Sequence, residues 1–433
     1  MVRAARLRPS MVARTTGVRQ TSRSVPLPLP PAPATDRLPA LDTLRGVAVC
    51  GILLANVFVF FGLFIAPPDV AVQLSASRAD RVVVAVEHIL VAGKFYSVFS
   101  LLFGIGFGLQ LARRGADALP LFRRRLRVLM LLGAVHALLV WAGDILLLYG
   151  LLGFTLPWFA RRTSRQLVQW MWVLLAAPTL LYVIALMAWM SLAGPGAGGQ
   201  SSSSGPPAEV IALIARAGTG GLLDGLVANL IFFVGRWADL FASVRFPKVL
   251  GMFVLGLWLV RAGVIHAPES HARLLRRSRT LGLGLGLAAN IVAWWAGARW
   301  PYLPPSAGGL VGVVAQAIGY PLLAVGYAAA VALAAHRHRW LSAAFAPAGR
   351  MALTNYLTQS VICVVLAMGY GFGLWWQVGP AATWLIAALI IGTQLVMSAL
   401  WLRRYRLGPA EWLCGGSRSA GRCRCVVEQY CAS

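Results

Sequence analysis

Charge is what this chain lacks. Only 12% of its 433 residues are Asp, Glu, Lys or Arg, while 59% are hydrophobic. A typical globular domain carries roughly 25% charged residues. So few charged groups cannot clothe a water-facing surface, which excludes an ordinary soluble enzyme. Hydrocarbon makes the opposite demand, because a buried charge there is costly unless it is paired or hydrated.

Acids are scarcer still: 13 Asp and Glu stand against 39 Lys and Arg, a formal net charge of +26. A nucleic-acid binder would gather such an excess into a stripe beside a soluble core. Here the arginines form short clusters between long apolar runs, as in membrane proteins that hold Arg and Lys at the cytoplasmic leaflet. No nucleic-acid partner is expected; membrane lipids are. Cysteine is sparse, and four of the six, Cys414, Cys423, Cys425 and Cys431, fall in the last twenty residues. Their Cys-x-Cys spacing is too loosely flanked for a metal site, and a cytoplasmic tail does not keep disulfides. No metal site is expected anywhere. Neither an internal repeat nor a phosphate-binding loop in strand–loop–helix context stands out, and no signal-peptide exit follows the first apolar run.

What is present is a series of apolar segments near the roughly 20 residues a membrane helix needs. They fall near 43–66, 88–112, 126–142, 145–160, 167–193, 247–264, 280–298, 309–335, 351–371 and 380–402. The predicted fold class is all-α: a polytopic membrane helix bundle with about ten transmembrane helices, N-in and C-in. This orientation places most of the 39 basic residues in cytoplasmic segments. The expected divisions are a basic, Pro-rich disordered tail (1–36), a five-helix membrane region (37–193), an external loop (194–246), a second five-helix region (247–413) and a flexible tail (414–433). Within 194–246, Asp224, Asn229 and Arg236 interrupt an apolar stretch, so an interfacial or re-entrant helix is expected there rather than an eleventh span.

Polar residues inside such a body mark either an internal bond or chemistry. Asp42 and Arg45 lie three apart on one face of the first helix and either pair with each other or meet an anionic group; Asn56 follows about 16 Å deeper. His88 and Lys94 are six apart and share no close helical contact. Lys94 either snorkels or faces a cavity. His136 and Asp144 flank the reversal of the third–fourth helical hairpin. A carboxylate that fixes a histidine tautomer makes it a stronger base, so His136 and Asp144 are candidate catalytic residues, with His88 the second histidine. The plainer reading has Asp144 capping the fourth helix and His136 bonding across helices. Gln316, Arg350, Asn355 and Gln359 are either an interhelical network or part of a polar ligand pocket. Glycines at 104, 106 and 108, and in LGLGLGL at 281–287, are read as close helix packing.

LDTLRGVAVCGILLANVFVF (41–60), KFYSVFSLLFGIGF (94–107), HALLVWAGDILLLYG (136–150), QAIGY (316–320), GRMALTNYLTQS (349–360) and YRLGPAEWL (405–413) together resemble the YeiB-like bacterial inner-membrane proteins with a C-terminal DUF418 domain. That resemblance implies a multi-pass protein of the cytoplasmic membrane and a distant likeness to transmembrane acyltransferases. On that likeness, acetyl-CoA or another acyl-CoA donor approaches from the cytoplasm, and an envelope glycan or lipid-linked acceptor waits outside. Asp42, Arg45, Asn56, Lys94, Gln316, Arg350, Asn355 and Gln359 would then contribute to substrate binding. The chain departs from sugar-modifying acyltransferases at Asn56, which stands where their histidine is sought after Arg45-Gly46 and which cannot act as a base. A transporter of a small or lipid-linked solute and a noncatalytic scaffold are the other expectations.

Overall fold

Pro39 opens the first helix because its fixed φ suits a first turn and its missing N–H is not needed there. The apolar run behind it carries helix α1 from Pro39 to Phe60. The computed structural model describes residues 38–193, 208–300, 302 and 304–415. The expected tail at 1–36, the Gly/Ser-rich linker and the cysteines at 423, 425 and 431 lie outside the described residues. What is described is an all-α protein.

Two short helices follow α1, α2 (Pro68–Leu74) and α3 (Arg78–Val86), and a π-helical turn leads to α4 (Lys94–Arg114) and α5 (Ala118–Leu139). After a reversal come α6 (Leu146–Gly153), α7 (Leu156–Ala160) and α8 (Ser164–Ala193). Next are α9 (Ala208–Ala215), α10 (Leu222–Ala242) and α11 (Arg245–Arg261). The last six are α12 (Ala272–Gly297), α13 (Ala307–Arg337), α14 (Arg339–Arg350), α15 (Ala352–Ala367), α16 (Pro380–Arg404) and α17 (Pro409–Gly415).

Among the described residues, seven helical runs are long and apolar enough to cross a membrane, where ten segments were expected. Each difference has a local cause. The segment expected at 145–160 is divided into α6 and α7, with Pro157 in the first turn of α7. At 17 and 16 residues, α11 and α15 are short. The segments expected at 88–112 and 126–142 belong to one 62-residue helical run, Arg78–Leu139. The external stretch, in which an interfacial or re-entrant helix was expected rather than a span, contains α10, a 21-residue helix long and apolar enough to qualify as a span. Its polar residues do not interrupt it because each has a partner: Asp224 accepts from the Gly221 N–H, Asn229 binds backbone of the α5–α6 reversal, and Arg236 pairs with Asp239.

Helix ends gather at two opposite faces. At one, the end of α1 meets Trp375 and Trp376, and Gly369 packs on Thr219–Gly220 just before α10. At the other, Leu41 and Leu44 of α1 cluster with Leu109 of α4 and Val260 of α11. There Arg261 donates to the carbonyls of Ala160 and Arg162, and α14 crosses α1 with Gly349 against the Asp42 backbone. Thus α10 begins at the first face and α11 ends at the second. α8 shows largely exposed Leu180, Ile184, Met187 and Met190, the surface expected of a helix bathed in lipid.

Candidate functional site

Two helical runs break inside the bundle, and both breaks open on one cavity. Between α3 and α4 the chain passes Gly93 at φ 81°, and a Cβ there would run into the Tyr320 ring. Between α10 and α11 it passes Val244 at φ 47°, a conformation β-branched residues rarely adopt. Beyond the breaks, α4 and α11 run side by side in the same direction. Gly104 faces the Phe253 backbone, Gly256 faces Leu101 and Gly104, and Gly108 faces Val260. Their first turns therefore sit together, with the Arg245 guanidinium 6.0 Å from the centre of the Tyr96 ring. Phe95 packs on Gly51, about midway along α1.

The cavity has a volume of about 1690 Å³. Phe60, Trp141, Phe232, Trp294 and Trp375 give it aromatic walls, while Arg236, Asp239, Arg245 and Lys248 bring charge to the break between α10 and α11. Asn56, His88 and Gln316 also line it, so three of the candidate residues from distant segments meet there. His88 Nδ1 lies 3.0 Å from Glu87 and 3.0 Å from the Val84 carbonyl, and Gln316 donates to the Tyr302 hydroxyl.

Lys94 is fully buried and is not on the cavity wall. Its ammonium donates to the His88 carbonyl at 2.6 Å and lies 4.4 Å from the centre of the Tyr320 ring. It satisfies the carbonyl at the Gly93 break, so His88 and Lys94 meet through backbone rather than through side chains.

The α5–α6 reversal does bring His136 to Asp144. Imidazole Nδ1 and carboxylate Oδ2 are 2.8 Å apart, with both side chains almost wholly buried. The other carboxylate oxygen accepts the Leu147 N–H at 2.8 Å, so Asp144 caps the start of α6 as well as holding the histidine. Tyr356 closes the group, its hydroxyl 3.5 Å from Asp144 Oδ2 and its ring 5.4 Å from that of His136. His136 Nε2 is buried and without a partner. The dyad stands behind the cavity wall, to which its own turn contributes Trp141, Ala142, Gly143 and Ile145.

The remaining candidates lie elsewhere. Asp42 and Arg45 pair at 2.9 Å near the start of α1. Arg350 donates to the Arg406 carbonyl. Asn355 donates to Ser398 and to the Ala348 carbonyl, and Gln359 donates to Gln394, which ties α15 to α16. This is the interhelical network that was one of the two expectations. Among the described residues no three of His, Cys, Asp and Glu gather as metal ligands.

Sequence reasoning did not single out Arg236, Asp239, Arg245 and Lys248 as site residues. Their signal was an Arg-x-x-Asp and an Arg-x-x-Lys spacing inside an apolar region, the Lys being one of only two in the chain. Ionisable residues so placed are functional candidates by default.

Residues 259–415 match the family model described as a protein of unknown function, DUF418. The uncharacterized protein YxaH of Bacillus subtilis is 30% identical over 410 residues, which cover 89% of this chain and 95% of that protein. The uncharacterized protein YeiB of Escherichia coli is 30% identical over 385 residues, 87% of this chain and 95% of that protein. An uncharacterized 39.9 kDa protein of Bacillus acidopullulyticus is 27% identical over 396 residues, 88% and 94% of the two chains. No solved structure matches. Near full-length likeness at this identity, together with the long apolar helices, places the protein in its family: the chain belongs to the DUF418 family as a multi-pass bacterial inner-membrane protein related to YxaH and YeiB.

Proposed function

We propose that the protein transfers an acyl group to an acceptor held in the cavity, with His136 as general base and Asp144 as the residue that orients it. The observation that carries this reading is the His136–Asp144 pair: one ring nitrogen is fixed at 2.8 Å and the other is left unpartnered. This is the geometry of a histidine held in one tautomer by a carboxylate. In the proposed step Nε2 takes the proton of an acceptor hydroxyl as its oxygen attacks the acyl carbonyl. The thioester C–S bond then breaks, and the thiolate leaves with that proton. The histidine reaches the cavity when the wall formed by Trp141–Ile145 shifts.

The donor is an acyl-CoA, and the acceptor an envelope glycan or a lipid-linked molecule. A donor at the arginine-bearing face would meet Arg45 and Arg350, on the two helices that cross there. That face is the cytoplasmic one, which makes the chain N-in and C-in. In this arrangement α10 and α11 act in series as one discontinuous crossing, and so do α3 and α4, while α15 crosses although it is short. The positive-inside bias of Arg113, Arg162, Arg261 and Arg350 supports the orientation.

Incubating the purified protein with labelled acetyl-CoA and envelope glycans tests the reading. Label should appear in the glycan and should fall by roughly 10²–10⁴-fold in His136→Gln, the usual contribution of a general base. No transfer by folded wild-type protein would end it. Transport is the second reading, favoured by the two broken helices, because discontinuous helices surround the binding sites of many transporters. Flux of an intact solute through proteoliposomes would select it.

A further inference from the structure

At the break between α10 and α11 the cavity carries a charge imbalance that neither reading uses. Arg236, Arg245 and Lys248 all line it with Asp239 beside them, while the other carboxylate on the wall, Glu87, is engaged 3.0 Å from His88. Asp239 is shared, 3.1 Å from each arginine. Lys248 has no hydrogen bond or ion pair among the described residues, and the Arg236 Nε is buried without an acceptor. Cations in apolar surroundings are unfavourable without a counter-charge, so three against one ask for an anion of about two charges.

Most of the remaining wall is aromatic and aliphatic, and 1690 Å³ far exceeds what an inorganic anion fills. A small anion would leave the walls at Phe60, Trp141, Phe232 and Trp294 uncovered.

We infer that this cavity binds a phosphate-bearing lipid, its phosphomonoester held by Arg236, Arg245 and Lys248 and its apolar chain lying against the aromatic walls. The three cations match a dianionic head, and the walls match a hydrocarbon tail. The site stands on charge and shape alone and holds whether or not His136 performs acyl transfer.

The test is equilibrium binding to the full-length protein in a neutral detergent, with fluorescent phosphatidic acid as probe and phosphatidylcholine of the same chains as control. The wild type should prefer phosphatidic acid. Lys248→Gln should weaken that binding about tenfold, the effect of losing one charge-assisted contact, and leave phosphatidylcholine unchanged. Asp239→Asn should tighten it several-fold, because it removes the anion that competes for both arginines; misfolding would not produce a gain. Inorganic phosphate should displace the probe only at far higher concentration than unlabelled phosphatidic acid. Equal binding of the two lipids, unchanged or weaker binding by Asp239→Asn, or displacement by phosphate as effective as by the lipid would each overturn the assignment.

Discussion

Gly256 of α11 lies so close to α4 that a Cβ there would strike the carbonyl oxygen of Leu101. Gly104 stands in the same relation to the Phe253 carbonyl, so each helix supplies a notch for the other. Backbone cannot move aside as a side chain can. Gly256→Ala should therefore cost about 1–3 kcal/mol, at the upper end of overpacking effects, and lower the unfolding temperature in detergent. Gly106, on α4 two residues beyond Gly104 but with open space where its Cβ would be, is the control. Gly106→Ala should be neutral or stabilising by about 0.5–1 kcal/mol through helix propensity. Equal effects at the two sites would contradict the parallel packing that brings both helix starts to the cavity.

Asn229 is the second case. Its side chain accepts the Ala142 N–H at 2.7 Å and donates to the carbonyls of Ala137 and Leu138 at 2.9 Å each, closing the end of α5. Asn229→Leu strands these groups and should destabilise by about 1–3 kcal/mol for each one left buried and unsatisfied. Hydrogen exchange at residues 137–145 should speed up well before the rest of the bundle. Unchanged protection there would show that the turn holds without α10.

These two sites also show what the sequence made legible. Glycine at helical spacing announced close packing, and the structure supports it at Gly104, Gly108, Gly282 and Gly286 but not at Gly106 or Gly284. Spacing alone does not tell which face of a helix meets a neighbour. The His136–Asp144 meeting was legible as one of two outcomes because eight residues spanning a tight reversal restrict the geometry. α10 was not legible as a continuous helix. Asp224, Asn229 and Arg236 look like interruptions in a linear count, since their partners lie on other segments or one turn away. The cationic cluster was hidden for the same reason: helix breaks assemble it, and composition does not report them.

His266 gives a pH dependence. It follows α11, both ring nitrogens are buried without partners, and burial together with Arg113 nearby holds its pKa below the ordinary histidine value. A depressed pKa means that folding disfavours the proton. The associated stability is present above the unfolded value of about 6.5 and is lost as the pH falls through the lower folded value. The unfolding temperature should therefore drop between neutral and mildly acidic pH, and His266→Leu should show a smaller drop than wild type. Parallel pH profiles for the two proteins would remove His266 as a cause.

The relation of α10 to α11 decides the topology of everything after it. As a separate full crossing, α10 would return the chain to its starting side before α11, and Thr219 and Ser270 would then face the same compartment. As the outer and inner parts of one crossing, α10 and α11 leave those residues on opposite sides, and the arginines at 261, 273, 276, 277 and 279 stay cytoplasmic. Single cysteines at Thr219 and Ser270, both exposed, separate the cases in a background with the native cysteines replaced. A membrane-impermeant maleimide should label Thr219→Cys in cells whose inner membrane is intact, and Ser270→Cys only after that membrane is opened. Labelling of both from one side would make α10 a crossing of its own. The break at Val244 would then be an inter-helix turn, and the parallel helix starts would no longer lie within a single discontinuous span.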